Sequence, residues 1–309
     1  VREYLSSRGL LGEEMLYEIE DRDSKYSPPQ KGAMAAARAR YAGSGGSLPR
    51  LVTRDVFCTP DDVIPPLEQF LADVENRRSV LLDVSSLPKR VFFPVLRRLL
   101  ESDAIADIAV SYTFPQSYAD ELAVNYADAD DLPGFGRPFP EPENQLVLVS
   151  LGHDYVGAAK ALRMVADRAS RRQVLLPFPA GPASLKKAWE SVRALKPYLI
   201  DSEQEPVRVD PRDVSDAFDI ICGLSSEAGQ TLVLVPSGPK TISLAMCLYA
   251  IARPDTGVVY SQPSAYNPEY SKGVALLPGT SSGAPECYAY CIRLAGRDFY
   301  NLEGPAGTA

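Results

Sequence analysis

Residues 81–89 of this chain read LLDVSSLPK and residues 232–240 read LVLVPSGPK. Each stretch runs from an apolar segment into a turn ending Ser-x-Pro-Lys, and each is followed by apolar residues at helical spacing. The turns, Ser86-Leu87-Pro88-Lys89 and Ser237-Gly238-Pro239-Lys240, lie 151 positions apart. Three further signatures recur in the same order. Thr59-Pro60-Asp61-Asp62-Val63 matches Asp210-Pro211-Arg212-Asp213-Val214 at the same offset, without a gap. The segment from Tyr112 to Tyr118 matches Tyr260 to Tyr266, with Pro115 and Pro263 in register. Leu132-Pro133-Gly134 matches Leu277-Pro278-Gly279, where the offset has fallen to 145. Four motifs kept in one order argue for a tandem duplication. The duplication predicts a first unit over residues 1–135 and a second over 136–309.

Apolar runs and helical patterns alternate along the second unit. Gln145–Ser150 (QLVLVS) is continuous and rich in branched residues, as a strand buried on both faces of a parallel sheet must be. Leu151 to Asp154 form a turn, and Asp154 is placed to cap a helix from Tyr155 to Ala169. A strand follows at Gln173–Phe178, then a helix over Leu185–Leu195 with Ser184 as cap. Further on, Asp213–Leu224 predicts a helix, Thr231–Val235 a strand, Thr241–Ile251 a helix and Gly257–Tyr260 a strand. The first unit shows Glu14–Glu20 as its second strand, a helix over Gly32–Ala42, and a helix over Thr59–Glu75 broken at Pro65-Pro66. Ser79–Val84, Lys89–Leu100 and Ile105–Tyr112 then give strand, helix, strand. Its opening strand is absent from this chain or lies upstream of Val1. Cys287–Leu294 is a late strand suited to a sheet edge. Ser24–Lys31 and Asp128–Asn144 are irregular, the second being the connection between units. The whole predicts an α/β protein with mostly parallel sheets and right-handed crossovers. In such sheets ligands bind beyond the carboxyl ends of the strands, where both Ser-x-Pro-Lys turns fall.

Composition narrows the function. The 309 residues are 45% hydrophobic, with net charge −8 and pI near 4.9. An acidic surface argues against duplex nucleic acid as a partner. Five cysteines at irregular spacing, with no CxxC pair, predict reduced thiols and a cytoplasmic setting. No apolar run reaches the ~18–20 residues of a membrane span, so no membrane partner is expected. The opening VREYLSSRGLL is not a signal peptide; it lacks an initiator Met, which predicts residues upstream. Walker A, GxGxxG and HExxH patterns are missing, and no cofactor is expected. Cys287 and Cys291 share a strand face but lack the further ligands of a zinc site. Gly279 to Gly283 spells GxSxG, yet Ala284-Pro285 follows where a nucleophile elbow needs a helix. The acidic run Asp128 to Asp131 suits a solvated loop.

The stretch PSGPKTISLAM, a strand end passing through Ser-Gly-Pro-Lys into a helix, resembles the signature of CARF domains, the Rossmann-like sensors of cyclic oligoadenylates in CRISPR defence, to which SAVED domains are related. The loop Ser150-Leu151-Gly152-His153 is similar to that family's second ligand-contacting element. Residues 145–262 would form one such domain and residues 10–118 a diverged copy. The resemblance implies two tandem Rossmann-like units related by a pseudo-two-fold axis, with a nucleotide-derived ligand in the cleft between them, in a bacterial anti-phage system. The family's Thr-Gly-Gly-Thr-Lys loop is Ser-Gly-Pro-Lys here. The first copy lacks the glycine pair, and proline removes a backbone donor.

The physical case is an anion site. A strand-to-helix turn aims backbone N–H groups and the helix dipole at one point. Lys89 and Lys240 add charge; Ser86, Ser150, Ser237 and Thr241 add hydroxyls; Gly238 lets a ligand approach the backbone. His153, Tyr118 and Tyr266 could stack on bases, an interaction worth roughly 1–3 kcal/mol each. The bland alternative is that prolines and tyrosines fix turns and packing, and that the lysines and the lone histidine are solvated. Three functions follow. One is a sensor for a small phosphorylated or nucleotide ligand, with an effector protein in trans. Another is metal-independent cleavage of a bound cyclic oligonucleotide, as the resemblance implies for some CARF proteins. The last is a scaffold that has lost its ligand.

Overall fold

The computed structural model describes residues 2–43, 49–74, 78–136, 145–152, 155–165, 169–178, 182–199, 205–228, 231–277 and 283–300. In chain order the elements begin α1 (Arg2–Ser7), β1 (Met15–Glu20), α2 (Ser27–Gly43), β2 (Arg50–Asp55), α3 (Pro60–Asp73), β3 (Ser79–Asp83), α4 (Lys89–Leu100) and β4 (Asp107–Thr113). Short strands β5 (Ser117–Tyr118), β6 (Ala123–Tyr126) and β7 (Asp130–Asp131) follow. The second series is β8 (Gln145–Ser150), α5 (Val156–Met164), β9 (Ala169–Pro177), α6 (Pro182–Leu195), β10 (Val207–Val209), α7 (Val214–Ala228), β11 (Thr231–Pro236), α8 (Lys240–Ala252) and β12 (Gly257–Tyr260). The chain closes with β13 (Pro263–Tyr266), β14 (Ser271–Lys272), β15 (Cys287–Leu294) and β16 (Arg297–Asp298). The result is a mixed α/β protein with many parallel strands. No described helix is long and apolar enough to cross a membrane.

Two compact units emerge: residues 1–125 with 263–297, and residues 126–262 with 298–309. The chain therefore passes between units three times, not once at 135/136. The physical reason is β15, which pairs antiparallel with β4 from Cys287↔Thr113 to Arg293↔Ile108 and so belongs to the first unit.

The second unit carries a six-stranded sheet in the order β10-β9-β8-β11-β12-β7. Five strands are parallel, and β7 adds an antiparallel edge. Strand β8 is buried along its whole length, as its apolar run predicts. On one face Val147 and Val149 of β8 and Val233 and Val235 of β11 pack under Ala158, Ala161 and Leu162 of α5. Helices α7 and α8 pack together, with Tyr249 donating its hydroxyl to Ser225 at 2.7 Å.

The first unit repeats the alternation without the leading strand. Its parallel strands fall into two pieces, β1-β2 and β16-β15-β4-β3. Helix α3 is continuous through Pro65 and Pro66, where a break was expected. Proline at position 66 deprives the Asp62 carbonyl of its helical donor, and Arg54 Nε supplies one at 2.6 Å. Tyr17 of β1 donates to the Val63 carbonyl at 2.6 Å and ties the helix to the strand.

Leu82 pairs with Val110 in the first unit, and Leu234 pairs with Val258 in the second. The tyrosine offset of 148 maps Val110 onto Val258, which carries Leu82 onto Leu234, an offset of 152. The lysines keep 151, so the path from strand to lysine is one residue longer in the first unit.

Candidate ligand site at the strand ends of the second unit

From β8 the chain steps outward to β9 and β10, then returns across the sheet to β11 and β12. The connections leaving the carboxyl ends of β8 and β11 thus diverge, the arrangement that opens a crevice in parallel sheets. Ser150 and Pro236 are register partners at those ends. The loops that follow, Ser150 to Gly152 and Ser237 to Lys240, meet there.

Their contact is backbone against backbone. The fully buried Ser150 hydroxyl accepts the Gly238 N–H at 3.0 Å. A Cβ on Gly238 would stand 2.9 Å from the Leu151 carbonyl oxygen and 3.0 Å from Ser150 Oγ. A Cβ on Gly152 would stand 3.1 Å from the Ser237 carbonyl oxygen. Glycine is therefore required by close approach at Gly238 and favoured at Gly152. Ser191 of α6 donates to the Gly152 carbonyl at 3.2 Å and ties the loop to a helix.

Helix α8 opens with Pro239 as N-cap, which supplies no side-chain cap, and its first turn contains no acid. Lys240 occupies the first helical position instead. The helix dipole favours negative charge there, and Lys240 places a positive charge against it. Helix α4 opens the same way, with Pro88 as N-cap, no acid in its first turn and Lys89 at its start. The preceding helix in each unit is ordinary. Thr59 and Asp62 form a capping box on α3, and the Thr59 amide and hydroxyl hold the Asp62 carboxyl below its usual range. Asp213 accepts from the Ser215 and Asp216 amides at 2.9 Å on α7.

Of the predicted site residues, Ser150, Ser237, Gly238 and Lys240 converge on this place. Thr241 is buried and donates its hydroxyl to the Pro211 carbonyl at 2.5 Å, which locks α8 to the approach of α7. His153 and its neighbour Asp154 lie outside the described residues, as does Ser281 of the GxSxG spelling.

The first unit holds its turn differently. Ser86 is exposed, and the adjacent Ser85 is the working hydroxyl, accepting from the Thr113 amide at 2.9 Å. Arg90 Nε donates to the Cys58 carbonyl at 2.6 Å. Burial pushes the Lys89 ammonium down to about 8. Tyr118 and Tyr266, expected in separate units, both belong to the first. Tyr118 shares a 3.0 Å hydroxyl contact with Tyr112, and the rings of Tyr118 and Tyr266 lie 5.8 Å and 6.2 Å from that of Tyr270. Burial raises both Tyr112 and Tyr118, so these hydroxyls stay neutral.

The sequence reading missed Ser85, Ser191 and the role of Gly152. Only Gly152 left a signal, as a glycine directly after a buried strand. All five cysteines are free thiols, and burial raises Cys58 and Cys222 to about 11. Among the described residues no group of three or more His, Cys, Asp or Glu could hold a metal ion. Compared with family models, curated proteins and solved structures, the chain matches none.

Proposed function

We propose that the second unit is a Rossmann-like binding module for a phosphate-bearing, nucleotide-derived ligand, and that it senses a signal of the cyclic-oligonucleotide type in bacterial anti-phage defence. The observation that carries the proposal is the start of α8. Its N-terminus has a proline in place of a capping side chain and a lysine in place of an acid, and it sits against a glycine-lined loop at the point where strand order reverses. A phosphate at this place would receive the α8 dipole, the Lys240 ammonium and the Ser237 hydroxyl. The sequence order of β8 to β12, with the first strand between the second and fourth, is that of dinucleotide-binding sheets. The signalling context rests on the resemblance of PSGPKTISLAM to CARF domains.

A scaffold reading has its own support, and it comes from the first unit. Its turn lacks glycine, Ser86 is exposed, and Lys89 is half-buried with a weakened charge. These features suit a diverged copy that keeps the fold of the turn without its ligand.

The test is thermal shift against a panel of linear and cyclic oligonucleotides. A true ligand at a hundred times its Kd adds about 2.7 kcal/mol of stability. Lys240→Ala and Pro239→Asp should each abolish the shift. Pro239→Asp should at the same time raise the stability of the unliganded protein, because it supplies the missing cap. A shift that survives both substitutions removes this site, and no shift with any member of the panel leaves the scaffold reading. Cleavage of the bound ligand in excess chelator would add the enzymatic activity.

A further inference from the structure

We infer that the outer face of α5 and α6, in the second unit, binds single-stranded nucleic acid. The sequence sets the charge. From Val156 to Tyr198 the chain holds nine lysines and arginines against two acids, a net +7 within a protein of net −8, so the remaining residues carry −15. The average surface is acidic, but this segment is a local surface for a polyanion.

The fold gathers the charge on one side. Strands β8, β9 and β10 are successive parallel neighbours, and right-handed crossovers put both connecting helices on the same face of the sheet. Ala158 and Leu162 of α5 and Leu195 of α6 accordingly share one core cluster. Burial of Ala188, Ser191 and Leu195 turns the opposite stripe of α6 to solvent. Lys186, Trp189, Glu190 and Arg193 follow along that stripe at helical spacing, all exposed, and Lys196 continues it in the short 3-10 turn Lys196–Tyr198. Arg163, at the end of α5, joins them. Its Nε donates to the Tyr198 hydroxyl at 2.9 Å, and its guanidinium lies 5.1 Å from the centre of that ring.

Compensation separates these cations from ordinary surface charge. In the first unit Arg2, Arg50 and Arg98 each meet a carboxylate, on Glu14, Asp73 and Glu68. Among the described residues no acid pairs with Arg163, Arg193 or Lys196. Lys186 has Glu190 at 3.8 Å, and both side chains are exposed, so that pair is weak.

The aromatic residue identifies the occupant. Trp189, the chain's only tryptophan, is 39% exposed, one helical turn from Lys186 on one side and from Arg193 on the other. An indole between cations suits a base stacked on the ring with phosphates to either side. In a duplex the bases stack on one another and offer no face to a side chain on a helix surface, so the strand is single. An acidic polypeptide would use the cations and leave the indole without a stacking partner.

The lone tryptophan makes the test direct. The intrinsic fluorescence of Trp189 is titrated with an oligothymidylate of about 20 nucleotides. Quenching is expected at 50 mM salt, with affinity falling about 50-fold at 200 mM if four cations meet phosphates. Arg193→Glu with Lys196→Glu should weaken binding at least about 10-fold. Trp189→Ala should weaken it by about 10-fold, read by anisotropy of a labelled strand, and Trp189→Phe should keep most of it. These side chains are exposed, so the Tm should hardly move. Absence of quenching at 50 mM salt overturns the inference. Equal affinity for polyglutamate of the same charge overturns it in favour of an acidic protein, and a blue shift with anionic vesicles in place of quenching by the oligonucleotide overturns it in favour of a membrane surface. Binding lost in Lys240→Ala but kept in Arg193→Glu/Lys196→Glu puts the strand in the α8 crevice, which overturns this inference and supports the ligand site proposed there. The reverse pattern supports this face and leaves that site untouched.

Discussion

The Pro-Lys turns of α8 and α4 share a sequence and differ in what fixes them. The α8 turn is clamped from a neighbouring loop, through the Ser150 hydroxyl and two glycines in backbone contact. The α4 turn is held from within its own strand pair, through Ser85 and Thr113, and its connection from strand to helix is longer. A turn braced by the loop across the crevice has its backbone donors set in advance, which is what an anion site needs. A turn braced by its own sheet needs only to connect strand to helix. The comparison teaches that Ser-x-Pro-Lys encodes the connection, and that Gly152, Gly238 and Ser150 encode the close approach of the two loops.

Gly238→Val is the harshest test of that division. The new side chain meets the Leu151 carbonyl, and destabilisation of about 3 kcal/mol is expected in chemical denaturation. Gly223→Ala, inside α7 with open space around it, should by contrast stabilise by up to about 1 kcal/mol. Equal effects would break the claim that close approach fixes Gly238.

Ser150→Ala should cost about 1–2 kcal/mol, since it removes the hydroxyl that accepts the Gly238 N–H in a part-buried place. Ligand affinity should fall with it. Ser85→Ala should cost a similar amount of stability and leave affinity unchanged, which sharpens the contrast between clamp and connection.

The smallest effect concerns Lys89. Its folded value near 8 lies below the ordinary 10.5, so the folded state resists the charge. Below about pH 8 the charged amine destabilises the fold in full, and the cost disappears as pH rises from about 8 through 10.5. Lys89→Met should thus add about 1 kcal/mol at pH 7, discounted for partial exposure, and progressively less at higher pH. A gain that does not change with pH would show that packing and not charge is responsible.

Much of the fold is legible because burial on both faces leaves a continuous apolar run. That is how Gln145–Ser150 and Thr231–Val235 announce β8 and β11. Strands β2 and β10 escape notice for the opposite reason: Arg50–Asp55 holds charged residues at both ends, and Val207–Val209 is only three residues long. Helix α2 begins at Ser27, inside a stretch that looks irregular, because Pro28 and Pro29 fall in the first turn, where missing amides do no harm. Ser184 falls inside α6, which starts at Pro182, and so is not its cap. The two tyrosine segments mislead most. Their spacing repeats, yet β13 pairs with β6 and returns Tyr266 to the first unit. Such a return depends on contacts distant in sequence, which local pattern does not encode.

Strand β15 has a consequence for synthesis. The edge of β4 that it covers emerges from the ribosome with Thr113, and its partner Cys287 follows about 170 residues later, which at roughly 5–20 residues per second is a delay of about 10–35 s. Residues 126–262, the bulk of the second unit, are made in that interval and can fold while the first still waits for its closing strand. The nascent chain therefore carries one nearly finished body and one open sheet edge, and protection of that edge during translation becomes a condition for a good yield of native protein.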